Sequence, residues 1–196
     1  MPEFANLHSP YEAMWRNFWF ERVKRDPNRP MTFVEIGSYE GSSAFWVMNN
    51  LLRSPESRLV CIDAWVDPDG DARYAKFLRN IGELPDRARI EVIRDWSHLA
   101  LRGLLARGFK TDCLYIDGGH DAPTVLRDLV IGFDLVKPGG VVICDDYLWD
   151  DARFGANHTL GRPKIAIDAF TTIFAKKLRI VQGMPNTQIF FQKLAD

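Results

Sequence analysis

Short runs rich in β-branched and aromatic residues alternate along this chain with longer amphipathic stretches. The short runs predict strands at 32–36, 58–62, 90–94, 113–116 and 141–144. Two more, 178–182 and 187–192, flank a Gly-Met-Pro-Asn turn and read as an antiparallel hairpin. Helical periodicity fills the gaps, at 11–24, 43–52, 72–81, 98–107, 123–135 and 164–176. Lys137-Pro138-Gly139-Gly140 is expected to stop the fifth helix and turn the chain into the fifth strand. Strands alternating with helices argue for an α/β fold with a mostly parallel sheet, closed here by the C-terminal hairpin. Residues 148–163 lack periodicity and are rich in Asp, Gly, Asn and His. A loop of that length in a compact domain is commonly functional.

Composition narrows the classes. A chain of 196 residues, 46% hydrophobic and 26% charged, suits one domain over 1–196, with a helical extension at 1–30 and an active-site loop at 148–163. Its 25 basic and 26 acidic residues leave a net charge of -1. That balance gives no reason to expect nucleic acid or a membrane surface as partner. No apolar run approaches ~18 residues, and the N-terminus lacks a basic start followed by an apolar stretch. A cytoplasmic protein is expected. Cys61, Cys113 and Cys144 sit in apolar runs, are odd in number and match no zinc spacing, so they read as buried free thiols. Trp15, Phe18 and Trp19 are expected to pack on the sheet or on a partner subunit, and a homodimer is the expected assembly.

Five consecutive strands finish in polar residues: Glu35-Ile36-Gly37-Ser38, Asp63-Ala64, Asp95-Trp96-Ser97, Asp117-Gly118-Gly119-His120 and Asp145-Asp146-Tyr147. In open α/β sheets ligands bind beyond the carboxyl ends of the strands. Five polar ends in register therefore mark a ligand cleft. The first loop runs Glu35, Gly37, Ser38, Tyr39, Gly41, Ser43, with its glycines spaced G-x-x-x-G. It matches neither the dinucleotide G-x-G-x-x-G nor the phosphate-cradling G-x-x-x-x-G-K, which sets a nicotinamide oxidoreductase aside. Asp63, one strand later, can accept hydrogen bonds from both hydroxyls of a ribose. The plain alternative is a tight strand–helix turn beside a surface acid. Trp96 and Ser97 either flank a ring such as adenine, or form core and helix cap respectively.

Together these residues resemble a class I S-adenosylmethionine-dependent methyltransferase, over roughly 33–191. Val34–Ser43 (VEIGSYEGSS) looks like the cofactor loop of the catechol-type magnesium-dependent O-methyltransferases. The pattern YIDGGH, then VKPGGVVICDDY, looks like the sugar-modifying type. The resemblance implies a Rossmann-like methyltransferase fold, a seven-stranded sheet with helices on both faces, and S-adenosylmethionine as cofactor. It implies that Gly37–Gly41 wraps the methionine moiety, Asp63 holds the ribose, and Trp96 and Ser97 border the adenine, with Glu35, Asp95 and Asp117 completing the cofactor site. It also implies a metal held by Asp117, Asp145 and Asp146. The catechol type has Asp-Asn at that last pair and a catalytic lysine where this chain has His120.

Chemistry agrees with that assignment. Strands lie about 4.8 Å apart, so carboxylates on two neighbouring strand ends can converge on one ion. Mg2+ prefers such hard oxygen donors, and a cation removes the mutual repulsion of three carboxylates. Asp121 is expected to cap the following helix. A neutral histidine can take the proton of a hydroxyl nucleophile, so His120, with Asp117 beside it, is the candidate base. Arg153, Asn157 and His158 are candidate acceptor contacts. The expected function is O-methylation of a sugar, phenolic or natural-product hydroxyl, with Mg2+ assisting. A metal-independent enzyme relying on His120 alone is the variant reading. From another class, the alternative is a catalytically silent S-adenosylmethionine-binding module.

Overall fold

The computed structural model describes residues 2, 4, 15–23, 26, 28–150, 155 and 158–196. Among the described residues seven strands form a mixed sheet, and the chain divides into two compact units, Met1–Trp96 and Ser97–Asp196.

In the first unit β1 (Thr32–Ile36), β2 (Arg58–Asp63) and β3 (Ile90–Arg94) are parallel, ordered β3-β2-β1. Phe33, Val34 and Ile36 are buried, as are Leu59, Val60, Cys61 and Ile62. Such continuous apolar runs are what strands covered on both faces require. Helices α1 (Ser42–Asn50) and α2 (Gly70–Gly82) connect the strands. α1 buries Ala44, Trp46, Val47 and Met48. The first predicted helix differs from expectation. Within its described part, Trp15–Trp19 forms a wide π-type turn that runs into a short α-helical turn, Phe20–Val23. Tyr11 to Met14 and Lys24 lie outside the described residues. Trp15 and Trp19 stand four positions apart and so share a face. Trp19 meets Phe33 of β1 at 6.0 Å between ring centroids, and Trp15 meets Trp46 of α1 at 5.9 Å. These aromatics thus pack against the chain's own core.

In the second unit β4 (Thr111–Ile116) and β5 (Val136–Cys144) are parallel, and β7 (Ile189–Lys193) runs antiparallel to both β5 and β6 (Leu178–Ile180). The expected hairpin is present. Helices α3 (Ser97–Ala106), α4 (Ala122–Leu135) and α5 (Pro163–Ile173) belong to this unit. Asp121 caps α4 as expected, its carboxylate accepting from the Thr124 N–H at 3.0 Å. Phe133 of α4, Phe170 of α5 and Phe191 of β7 pack with ring centroids 5.3–6.2 Å apart.

Two boundaries differ for a physical reason. Lys137–Gly140 was expected as a turn before β5, but it lies inside β5, whose pairing with β4 shifts register between Thr111 and Cys113. Pro138 and Gly139, the latter at φ +85°, sit where a bulge tolerates a missing donor and a left-handed residue. The hairpin turn is also longer than the four-residue Gly-Met-Pro-Asn. Thr187 and Gln188 hydrogen-bond to the segment after β5 instead of the ladder, the Thr187 carbonyl accepting from Tyr147 N–H and the Gln188 amide reaching Asp145.

The three cysteines are buried and free. Among the described residues no helix is long and apolar enough to cross a membrane.

Candidate active site

The loop between β1 and α1 is held from beneath and from the side. Gly37 and Gly41 adopt φ of +88° and +86°, and Tyr39, unusually for a side-chain-bearing residue, +46°. Beneath the loop lies Glu35, 0% exposed, whose two carboxylate oxygens accept from the Ser38 and Ser43 hydroxyls. At the tip of β2, Asp63 accepts from the Tyr39 N–H and the Trp65 N–H, each at 2.9 Å. The Trp65 indole N–H in turn donates to the Tyr39 carbonyl at 2.8 Å. Asn80 and Lys76 of α2 hold Glu40, through its carbonyl and its carboxylate respectively. Gly37, Ser38, Tyr39, Gly41, Ser43, Glu35 and Asp63 are thus brought together. Trp65 escaped the sequence reading; its signal was the Asp63 side chain two positions upstream, which favours an Asx-type turn.

Burial pushes the Glu35 carboxyl from 4.5 to about 7, against the pull of the two serine hydroxyls. The native state therefore retains a proton that the unfolded chain loses above pH 4.5. Stability is expected to fall as pH rises from about 4.5 to about 7 and then to level off, by at most ~3 kcal/mol from this group. Urea unfolding at pH 5 and pH 8 checks this: Glu35→Gln should remove that part of the difference. An unchanged difference in the variant would show that Glu35 does not carry it.

At the end of β3 the Trp96 indole is 54% exposed, and the Asp95 carboxylate accepts from the Trp96 N–H at 2.8 Å. Trp96 is therefore not part of the core. In the second unit Ser97 does not cap its own helix by the expected bond; its hydroxyl donates to Asp128 of α4 at 2.7 Å. Asp128 is buried, its second carboxylate oxygen has no hydrogen-bond partner among the described residues, and burial pushes its pKa up to about 6.

The acids of the second unit form a layered cluster. Ile116 pairs with Cys144 across β4 and β5, which sets Asp117 beside Asp145. Tyr115, 1% exposed, points its hydroxyl at Asp117 Oδ2 (2.7 Å) and at Asp145 Oδ2. Asp145 Oδ2 also accepts from the Gln188 amide at 2.7 Å, and Asp145 Oδ1 from the Asp146 N–H at 2.8 Å. Both oxygens of Asp145 are therefore held by protein donors. Asp146, at φ +55°, turns the other way, and its Oδ2 lies 2.9 Å from His120 Nε2. Asp117 Oδ1 lies 3.9 Å from the same nitrogen. Asp117, His120 and Asp146 each offer one ligand atom, all within 4.8 Å of one another. The Trp149 ring stands 5.6 Å from that of His120.

Desolvation and the carboxylates of Asp145 and Asp146 hold Asp117 above the usual range. The carboxylates of Asp117 and Asp146 raise His120 to about 10. An imidazolium donates protons, so His120 accepts one only if something else displaces its own. Tyr115 was legible in principle, since it stands two residues before Asp117 and shares its strand face. Gln188, 43 residues from Asp145, carried no local signal. His158 is exposed and precedes the short 3-10 turn Thr159–Gly161. Arg153 and Asn157 lie outside the described residues.

The model of the methyltransferase-domain family Methyltransf_24 matches residues 34–147. Uncharacterized protein R132 of Acanthamoeba polyphaga mimivirus is 27% identical over 165 residues, covering 80% of this chain and 69% of that one. The O-methyltransferase TomG of Streptomyces achromogenes, involved in tomaymycin synthesis and solved with S-adenosylmethionine, aligns at TM-score 0.70. It is 18% identical, over 96% of this chain and 82% of its own. MycE, a methyltransferase of the mycinamycin pathway solved with Mg, S-adenosylhomocysteine and mycinamycin VI, aligns at TM-score 0.63 and 19% identity. That match covers 99% of this chain but only 51% of MycE, so the chain spans about half the length of that protein. The matched segment runs from β1, through the loop held by Asp63, to the acids that follow β5: this chain belongs to the methyltransferase-domain family and has the class I S-adenosylmethionine-dependent methyltransferase fold.

Proposed function

We propose that this protein is an S-adenosylmethionine-dependent O-methyltransferase acting on a hydroxyl of a small acceptor, with a divalent cation, Mg2+ in the simplest case, assisting. The observation that carries the cofactor assignment is Asp63: it anchors the loop amide of Tyr39 at the carboxyl end of β2, where an acid can also accept from a ribose hydroxyl. The glycines of that loop allow close backbone approach to the methionine moiety, with Glu35 bracing it from below. The exposed Trp96 supports a role as a flat surface for adenine.

The donor chemistry of the second unit fits a hard cation. Asp117 and Asp146 each bring one carboxylate oxygen within 4.8 Å of the other and of a His120 ring nitrogen, and Asp145 accepts from the Asp146 N–H. A bound divalent cation lowers the pKa of an acceptor hydroxyl and fixes its oxygen. Around it, Tyr115 and Gln188 lock the carboxylates, and so contribute by orientation. An open depression of about 360 Å³, lined by Tyr147, Leu148, Gln182, Met184 and Asn186 among others, offers room for an acceptor beside Gln188. Its mixed apolar and amide lining, with the Asp-Asp-Tyr of the sugar-modifying type, favours a sugar hydroxyl over a phenol. MycE, solved with Mg and its macrolide, supports the metal-assisted form. Three buried free thiols suit a reducing cytoplasm. Trp15 and Trp19, engaged in the chain's own core, no longer argue for a homodimer.

Calorimetric titration with S-adenosylmethionine, with Mg2+ and again with excess EDTA, tests the reading. Binding is expected in both, because the contacts that shape the loop run through Glu35, Asp63 and α2. Absence of binding to a folded, cofactor-free sample would sink the proposal. With binding in hand, hydroxylated acceptors are screened with Mg2+, and transfer that persists in EDTA would remove the metal from the mechanism.

A further inference from the structure

We propose that Asp128 is a positioning residue for cofactor selection: it engages the proton of the Ser97 hydroxyl, leaves that oxygen only lone pairs to offer, and so favours the 6-amino purine of an adenosyl cofactor over a 6-oxo purine. This rests on the S-adenosylmethionine reading above, with Ser97 at the edge of the purine.

The starting point is an anomaly in the second unit. Asp128 lies within α4 and is 1% exposed, and its Oδ2 has no hydrogen-bond partner among the described residues. The stripe that α4 buries is otherwise apolar, Val125, Leu129 and Phe133 included. A buried carboxylate with one oxygen unmatched costs stability, and a leucine would fill similar space without that cost. Methyl transfer as proposed makes no use of this acid. Its Oδ1, however, accepts from the Ser97 hydroxyl at 2.7 Å. Ser97 opens α3, is only half-buried, and directly follows the exposed Trp96 in the chain.

The direction of that hydrogen bond follows from chemistry. Burial pushes the Asp128 carboxyl up to about 6, with the Ser97 hydroxyl and the Arg127 charge opposing the rise. At pH 8 it is therefore ionised and can only accept, so Ser97 must donate. A serine hydroxyl has one proton and two lone pairs, and it ordinarily rotates to suit a donor or an acceptor. Here the proton is committed to Asp128, and a ligand meets an acceptor. An acceptor at the purine edge pairs with the 6-amino N–H of adenine and repels the 6-oxo oxygen of hypoxanthine. Such a mismatch leaves polar groups unpaired, and discriminates more strongly than the small difference in shape between the two groups. The competing arrangement is a plain staple between α3 and α4, with no ligand on Ser97.

The test uses the full chain, freed of co-purified cofactor. It is titrated calorimetrically at pH 8 in EDTA with S-adenosylhomocysteine and with S-inosylhomocysteine, the 6-oxo analogue. The wild type is expected to prefer the adenosyl ligand by ~10-fold or more. Asp128→Leu frees the Ser97 hydroxyl to turn its proton to either ligand. The preference should then drop at least ~5-fold, mainly through tighter binding of the inosyl ligand, while Tm holds or rises. Ser97→Ala should lose the preference through weaker adenosyl binding, and it keeps the test open if Asp128→Leu fails to fold. Circular dichroism establishes the fold of each variant. Equal weakening of both ligands in Asp128→Leu is the mark of a staple and overturns the inference, as does a preference that survives in either variant. If the wild type binds S-adenosylhomocysteine without that preference, the role of Asp128 falls and the methyltransferase reading stands. If the folded wild type binds neither ligand, both fall.

Discussion

Asp63→Ala is expected to weaken S-adenosylhomocysteine binding by about 100-fold, or ~3 kcal/mol, the largest effect of any single change in the cofactor loop. The size follows from how much converges on this carboxylate. It accepts from two backbone N–H groups, those of Tyr39 and Trp65, and burial raises its pKa while those same bonds oppose the rise. Removing it leaves two donors without their acceptor and releases the loop at Tyr39, where φ is +46° and the backbone is held against its preference. It also deletes the acceptor for the ribose hydroxyls. Asp63→Asn, which keeps one carbonyl oxygen and substitutes a donor for the other, should fall between wild type and Ala. Isothermal calorimetry decides the matter. A Kd within ~3-fold of wild type in Asp63→Ala would mean that Asp63 is only a turn anchor and that the ribose is held elsewhere.

Gly41→Val is expected to destabilise the fold by ~3 kcal/mol, which for a chain of this size lowers Tm by roughly 6–12 °C. Two costs add. At φ +86° a β-branched residue is strained whatever surrounds it. A Cβ there would also lie 2.9 Å from Phe77 Cδ2 and 3.3 Å from Ile81 Cγ2, both on α2 and both buried in the core of the first unit. Gly103→Ala, in the interior of α3 with nothing within 4 Å of the new Cβ, is the control and should raise Tm slightly through helix propensity alone. If Gly41→Val melted with the wild type, the loop would not be held against α2 as the structure has it. Cofactor affinity measured below both transitions separates loss of the loop's shape from loss of the fold.

The two substitutions also show how unevenly the site could be read in advance. Gly41 was legible because only a glycine serves a loop that must reverse direction between a strand and a helix, and Asp63 because a lone acid closes an otherwise apolar strand. Asp121 was legible as a cap for the same local reason. Ser97 was not. Whether its hydroxyl serves a helix end, a ligand or another helix depends on Asp128, 31 residues away, and no spacing rule reaches that far. The hairpin shows the same limit in the backbone: the Gly-Met-Pro-Asn turn was correctly placed, yet Thr187 and Gln188 leave the ladder because Tyr147 and Asp145 offer them partners.

What the chain's order of residues determined by itself is therefore the local part: seven strands and the helices between them, the positive-φ loop after β1, and acids at successive strand ends. Those features follow from side-chain periodicity and from steric rules that act within a few residues. Only the tertiary structure decided which two of the three neighbouring acids face His120. Pairing of Ile116 with Cys144 aligns Asp117 with Asp145. The Tyr115 hydroxyl and the Gln188 amide then take Asp145, and the left-handed turn at Asp146 carries its carboxylate to the imidazole. Each of those steps depends on strand register and on hydrogen-bond competition between distant segments, which a one-dimensional pattern does not contain.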